Sequence, residues 1–279
     1  MTVFILTDIP VWVRPLERAL TSLGAKVLVG DDPEIGSNTD LIVNRVSTQL
    51  LRVDEAKLSR IRQAFGRWES GNQMVINGAR CFEIGLSKVE QHALFQSCGV
   101  STPATKVAIP GGRALPGRSV LLKPPAGGFG KGIQILQPDE PAPSDLDPSI
   151  EWIEQERIEP ADGMVHRIEF VGDQILYDAA TPLVPNEFDY CLANAGDNSA
   201  LTPEKALDPE IARLAKKIAA RGKMKLGAIE YFVLKDGNPC FFDFNPVSSL
   251  HPRAADCIGA EPLELVVDFI FQSATSPSS

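Results

Sequence analysis

Glu230, Asp243 and Asn245 fall within one stretch, Gly227–Asn245 (GAIEYFVLKDGNPCFFDFN), and their spacing gives them a shared chemistry. The stretch reads as two short apolar strands around a Lys235-Asp236-Gly237-Asn238 turn. Asp-Gly at a turn centre supplies the positive φ values that a two-residue hairpin loop requires. In such a turn Lys235 pairs with Asn238, and counting back along both strands puts Glu230 opposite Asp243. Asn245, two residues on, leaves the same face as Asp243. Two opposed carboxylates repel and weaken a sheet. A cation between them removes the repulsion, and Glu, Asp and Asn are oxygen donors of the kind Mg²⁺ takes alongside phosphate oxygens. The hairpin therefore reads as a metal shelf for a nucleotide. A plain Ca²⁺-binding surface hairpin would need only these residues, but it gives the features below no role.

A glycine-rich loop, Lys123-Pro-Pro-Ala-Gly-Gly-Phe-Gly-Lys-Gly132, supplies the second half of such a site. Its glycines let backbone N–H groups wrap an anion. Lys123, at the end of the strand before it, could set a fixed ammonium against phosphates. No Ser or Thr follows Lys131, so this is not a Walker A loop. Taken alone, the loop reads rather as a flexible connection with Lys131 solvated.

The elements that must carry these residues alternate. Residues 3–7, 26–29, 40–44 and 73–77 read as strands, with helices over 14–23 and 54–69 between them. This pattern indicates a parallel α/β lobe. No phosphate-binding glycine fingerprint follows the first strand. Ser87 is placed to N-cap a helix through Ser97, with Glu90 completing a capping box. Strands are expected at 119–123, 132–136, 150–158 and 164–171, with a proline-rich link at 137–148. Residues 183–199 read as irregular. A strongly amphipathic helix is expected over 203–221 and a last helix over 261–271.

The chain has 279 residues, 44% of them apolar, and a net charge of −9. That balance argues against a general nucleic-acid binder. No apolar run is long enough to span a bilayer, and the N-terminus reads as a strand and helix rather than a signal peptide. The five cysteines are odd in number and lack a CxxC spacing, so reduced thiols in a cytoplasmic protein are expected rather than disulfides or zinc.

The order of these motifs resembles the ATP-grasp superfamily, in the branch of glutathione synthetase and the ribosomal-protein glutamate ligases. The resemblance covers roughly residues 75–265. It is carried by ING…LSKVEQHALFQSCGVSTPAT, LLKPPAGGFGKGI, WIEQERI and GAIEYFVLKDGNPCFFDFNPVSS. It implies an α/β chain of α+β lobes, with the ATP-grasp fold preceded by an N-terminal parallel α/β lobe. The expected divisions are 1–80 for that lobe, 81–155 for a central lobe with the glycine loop, 156–272 for a C-terminal lobe with the metal hairpin, and 273–279 for a disordered tail.

The resemblance also implies roles. Lys88 and Lys123 would contact ATP phosphates, under a loop containing Gly128, Phe129 and Gly130. Gln155, Glu156, Arg157 and Ile158 would form the adenine hinge, with Glu156 or Glu159 on the ribose. Glu230, Asp243 and Asn245 would hold Mg²⁺, two ions in all, with Mn²⁺ as a substitute. Arg167 would face the reacting group, or pair structurally with Glu169 or Asp178. Arg167 or Arg253 would stabilise the tetrahedral oxyanion. The implied reaction joins small-molecule carboxylate and amine substrates through an acyl phosphate, releasing ADP and phosphate, in one substrate or between two. No nucleic acid or membrane partner is implied, and a homodimer is common in the branch. Two departures bear on the substrate side. Val165 stands where the ribosomal-protein ligases carry Asp, and Asp189–Asn194 keeps an Asn without their Arg. An ATP-grasp kinase and a MgATP-binding regulatory module are the alternatives.

Overall fold

A computed structural model describes residues 1–47, 54–124, 130, 132–147, 149–184 and 199–275. Three sheets organise them. The first is fully parallel, in the order β2-β1-β3-β4, from β1 (Thr2–Leu6), β2 (Lys26–Gly30), β3 (Leu41–Asn44) and β4 (Met74–Ile76). Side chains of β1 and β3 alternate between two cores. Val3, Ile5, Leu41 and Val43 pack towards α1 (Pro10–Ser22) and α7 (Pro262–Thr275), while Phe4, Leu6 and Ile42 pack on α2 (Glu55–Ser70). The first of these cores also contains Tyr177, Leu226 and Ile270, so the N-terminal lobe is fused to the C-terminal part through apolar contact.

The second sheet is antiparallel, in the order β5-β8-β6-β7, from β5 (Thr105–Val107), β6 (Val120–Lys123), β7 (Gln134–Leu136) and β8 (Ile153–Glu156). The third is a five-stranded antiparallel sheet, β11-β10-β9-β12-β13, from β9 (Met164–Val171), β10 (Gln174–Pro182), β11 (Ala200–Pro203), β12 (Leu226–Val233) and β13 (Pro239–Asn245). Beneath it lie α3 (Ala79–Leu86), α4 (Lys88–Ser97) and α5 (Pro209–Arg221). α3 and α4 bury Cys81, Ile84, Leu94 and Phe95 in the core of the third sheet. The short α6 (Ala254–Ile258) precedes α7.

Several local expectations change. The first helix starts at Pro10 rather than at residue 14, because Pro10 occupies N1, where its missing N–H costs nothing. Ser87 caps α4 by accepting from the Glu90 N–H at 3.2 Å, but the Glu90 carboxylate pairs with Arg80 instead of closing the box. Helix α5 begins at Pro209, six residues later than expected, capped by Asp208. The final helix runs to Thr275, into the expected tail, whose residues 276–279 lie outside the described ones. No described helix is long and apolar enough to cross a membrane. The four described cysteines are free thiols, with Cys81, Cys98 and Cys240 buried.

Gly227, at the start of β12, has φ +149, and a Cβ there would lie 2.4 Å from the Asn245 carbonyl oxygen and 2.9 Å from Pro246 Cα. Both obstacles are backbone and cannot swing aside. Gly227→Ala is therefore expected to cost about 3 kcal/mol or more in a urea unfolding experiment, and to weaken nucleotide binding with it, because the strain falls on the strand end that carries Asn245.

Candidate active site

The hairpin brings Glu230 opposite Asp243, and Ala228 opposite Asn245, by a route the sequence did not show. Gly237 N–H bonds to Leu234 O at 2.8 Å and Leu234 N–H to Asn238 O at 2.9 Å, so the turn holds three residues, with Gly237 at φ +82. That shifts the pairing by one, as Tyr231 opposite Phe241 shows. A bulge at Phe242 then shifts it back before Asp243. The two offsets cancel. The bulge also keeps Phe241 in the core against Tyr231, and it leaves Phe242 on the site side, stacked on Phe232 at 4.2 Å and 5.5 Å below the Lys123 ammonium.

β9 extends the row. Arg167 pairs with Glu230 across β12, and Glu169 with Ala228. The sheet thus carries Arg167–Glu230–Asp243 in one cross-strand row and Glu169–Ala228–Asn245 in the next. Arg167 Nη1 donates to Glu230, its Nη2 donates to Ser248 Oγ at 2.8 Å, and its Nε lies 3.8 Å from Glu169. Ser248 Oγ in turn donates to Glu169 at 2.6 Å. Of the two acids considered as structural partners of Arg167, Glu169 is one. Asp178 is not: it accepts from Tyr231 at 3.2 Å and bonds to His166 at 2.8 Å on the opposite face.

Lys88 reaches the row from the first turn of α4, where its ammonium donates to Asp243 and to Gln91 at 3.2 Å. Gln91, one turn on, fixes the strand by bonding both N–H and C=O of Phe244 at 3.3 Å. Lys123 approaches from the end of β6 and donates to Gln155 at 2.7 Å, and Gln155 is held by Thr105 at 3.1 Å. Asn77, in the left-handed region at φ 56, ties the parallel lobe to this site. Its side chain donates to the carbonyls of Leu226 (2.5 Å) and Pro246 (3.0 Å) and accepts from Lys225 (2.8 Å).

Burial sets the protonation of this cluster. It raises the Glu230 carboxyl, which Arg167 partly restrains. It pushes Glu169 up to about 7 against the pull of Arg167 and Ser248. Burial would raise Asp243 as well, but Lys88, with help from Lys123 and Arg167, holds it below the usual carboxylate range. Lys123 is pushed down to about 8 by burial and by the neighbouring Lys88. Two carboxylates and an amide therefore converge, with the Asn245 amide nitrogen 3.3 Å from Glu230. Turning that amide over would present its oxygen beside the two carboxylates. This hard-oxygen set fits Mg²⁺.

The hinge residues divide. Gln155 and Glu156 have their side chains engaged, Glu156 with Arg118 at 2.7 Å, and the N–H groups of Glu156 and Arg157 bond to Ala104 and Ser119. Arg157, Ile158 and Glu159 line a cleft of about 700 Å³ together with Leu234, Lys235 and Asp236 of the hairpin turn. Ala161 N–H to Val233 O, at 2.8 Å, fastens the hinge to that hairpin. Arg253 sits at the N-cap of α6 and donates to Ser199 O at 2.5 Å, while His251 accepts from the Arg253 N–H at 3.1 Å. Gly130 and Gly132 have φ +66 and +82, while Gly128, Phe129 and Asp189–Asn194 lie outside the described residues. Sequence reasoning missed Ser248, Gln91 and the part Glu169 plays. Gln91 had a signal, since it stands three residues after Lys88 and so on the same helix face.

No protein-family model and no curated protein matches the chain. Solved structures do match over nearly its whole length. D-cycloserine synthetase DcsG superposes with a TM-score of 0.68 at 16% identity, over 99% of this chain and 100% of that one. A Chryseobacterium gregarium RiPP-associated ATP-grasp ligase, in complex with ADP and a leader and core peptide, gives 0.66 at 15% identity, over 99% and 97%. The ATP-grasp ligase PsnB, complexed with minimal precursor, Mg and ADP, gives 0.65 at 13% identity, over 98% and 97%. The three sheets thus share the fold of these ATP-grasp ligases.

Proposed function

We propose that the protein is an ATP-dependent carboxylate–amine ligase that works through an acyl phosphate. The observation that supports this most is the Arg167–Glu230–Asp243 row, with Lys88 and Lys123 converging on it from two other elements. Glu230, Asp243 and Asn245 would hold Mg²⁺, which neutralises phosphate charge and polarises the transferred group. Lys88 would exchange Asp243 for a phosphate oxygen as the metal takes over the carboxylate. Arg157, Ile158 and Glu159 would bound the base and ribose, and the Ile158 N–H, without a protein acceptor among the described residues, would serve the base edge. The substrate carboxylate attacks the γ-phosphorus and ADP leaves. The amine then adds to the acyl phosphate and phosphate leaves, with Arg167 beside the oxyanion.

DcsG is a D-cycloserine synthetase and PsnB is complexed with a precursor peptide, so the acceptor panel for this protein spans both free amino acids and carboxylate-bearing peptides. Incubation with MgATP, hydroxylamine and that panel should yield a hydroxamate and ADP. ATP consumption that transfers phosphate to a hydroxyl, with no hydroxamate, would identify a kinase instead. Tight MgATP binding without turnover on any member would favour a regulatory module.

Lys123 makes a separate prediction. Its ammonium is pushed down to about 8, and bound phosphates would raise it again. MgADP binding should therefore take up protons between about pH 8 and about 10.5, read as a dependence of the binding heat on buffer ionisation enthalpy. Lys123→Met should abolish the uptake.

A further inference from the structure

The parallel lobe ends in a crevice beside the acidic row. In the order β2-β1-β3-β4 the chain leaves β1 towards one edge and β3 towards the other. The carboxyl ends of β1 and β3 therefore flank a topological switch point, where open α/β sheets form a crevice. Across it Asp8 accepts from the Ser47 N–H at 2.7 Å and from the Ser47 hydroxyl at 2.6 Å. Arg45 also stands there, its own N–H fixed to Leu6 O at 2.8 Å. Its side chain is partly buried and crosses to the third sheet, where Nη2 donates to the carbonyl of Ser248 at 2.5 Å. Ser248 is the residue whose hydroxyl binds Arg167. One serine thus separates the two guanidinium groups.

The two arginines differ in what they lack. Arg167 is committed to Glu230, Glu169 and Ser248. Among the described residues Arg45 uses one of its five side-chain donors, and no described carboxylate lies within ion-pair distance of it. Glu169 is the acid that acts on it electrostatically, and Glu169 is already shared between Arg167 and Ser248. Around the site four basic side chains (Arg45, Lys88, Lys123 and Arg167) meet three acids (Glu169, Glu230 and Asp243), and the crevice's own acid, Asp8, is engaged with the N–H and hydroxyl of Ser47. A guanidinium partly withdrawn from water, with its nearest acid shared elsewhere, is better satisfied when an anion completes it, and its planar fork matches a carboxylate.

We propose that Arg45 receives the carboxylate of the acyl-donor substrate, so that the parallel lobe supplies a substrate site beside Arg167. This rests on the ligase reading above. The test uses a single-carboxylate probe, acetyl-glutamate methylamide, and its neutral methyl ester, titrated calorimetrically into the protein with and without MgADP. Wild type should bind the acid at least about tenfold more tightly than the ester. Arg45→Gln, which keeps a donor for Ser248 O, should bind both alike. Arg45→Lys, with the charge but not the fork, should fall between them, and both variants should bind MgADP within about twofold of wild type. Acid preference retained in Arg45→Gln, or absent in wild type, overturns the assignment. A protein that fails to bind MgADP defeats the nucleotide reading alone, because the titration without nucleotide still reads Arg45.

Discussion

Asp243→Asn should lower ATP turnover by about 10²–10³-fold while leaving the stability of the nucleotide-free protein within about 1 kcal/mol of wild type. The two halves of this expectation have different causes. On the proposed reading, turnover depends on the charge that Asp243 and Glu230 would place on the metal, and the isosteric amide keeps the shape but removes one of two negative charges. Stability changes little because two effects oppose each other. The amide loses the ion pair with Lys88, whose partly exposed partners (14% and 22%) limit its worth. It also removes a carboxylate that directly faces Glu230 across the sheet. Phosphate release and urea unfolding on the same preparations decide the matter. Full turnover in the variant would remove Asp243 from the metal set. A large loss of stability would mean that the Lys88–Asp243 pair is structural, and that the facing acids do not strain the sheet.

That opposition was legible in the sequence, but its cause was not. Alternation and the Asp-Gly turn gave the pairing of 230 with 243. The actual turn is one residue longer, and Phe242 makes up the difference. A bulge beside two consecutive phenylalanines leaves no mark in residue type, since either ring satisfies an apolar position. Strict alternation back from Phe244 would bury Phe242 and turn Phe241 to the site, whereas the structure buries Phe241 fully and turns Phe242 towards Lys123. β10 had a signal that went unread: Gly172-Asp173, between paired Val171 and Gln174, with Gly172 at φ +62, is a two-residue hairpin turn. α3 had little signal, because its eight residues carry an internal glycine and no side-chain cap. Ser248 could not be found by type, since a serine in Pro-Val-Ser-Ser reads as turn polarity. Its role comes from the crossing of three elements whose distances no local pattern encodes.

Arg167→Met should destabilise the metal-free protein by about 3–5 kcal/mol at pH 8 and by distinctly less at pH 5. Arg167 is 8% exposed, and it pairs with both Glu230 and Glu169, which are 6% and 2% exposed. Methionine fills much of its volume but leaves two buried carboxylates without the cation that pairs with both. The pH dependence follows from the direction of their shifts. Glu169 is raised from 4.5 to about 7 even with Arg167 present, and Glu230 is raised too. A carboxyl raised in the folded state stabilises the fold fully below its unfolded value, and that contribution is lost as pH rises through the folded value. In wild type the loss from Glu169 ends near pH 7. Without Arg167 both carboxyls rise further, so the loss continues upward and the gap between variant and wild type widens from pH 5 to pH 8. Urea midpoints at the two pH values measure it, and Mg²⁺ should narrow the gap at pH 8 by replacing the missing charge at Glu230. A gap that is constant with pH and indifferent to Mg²⁺ would make Arg167 a packing residue. It would also remove the charge balance on which the whole row, from Arg167 through Glu230 to Asp243, is argued to depend.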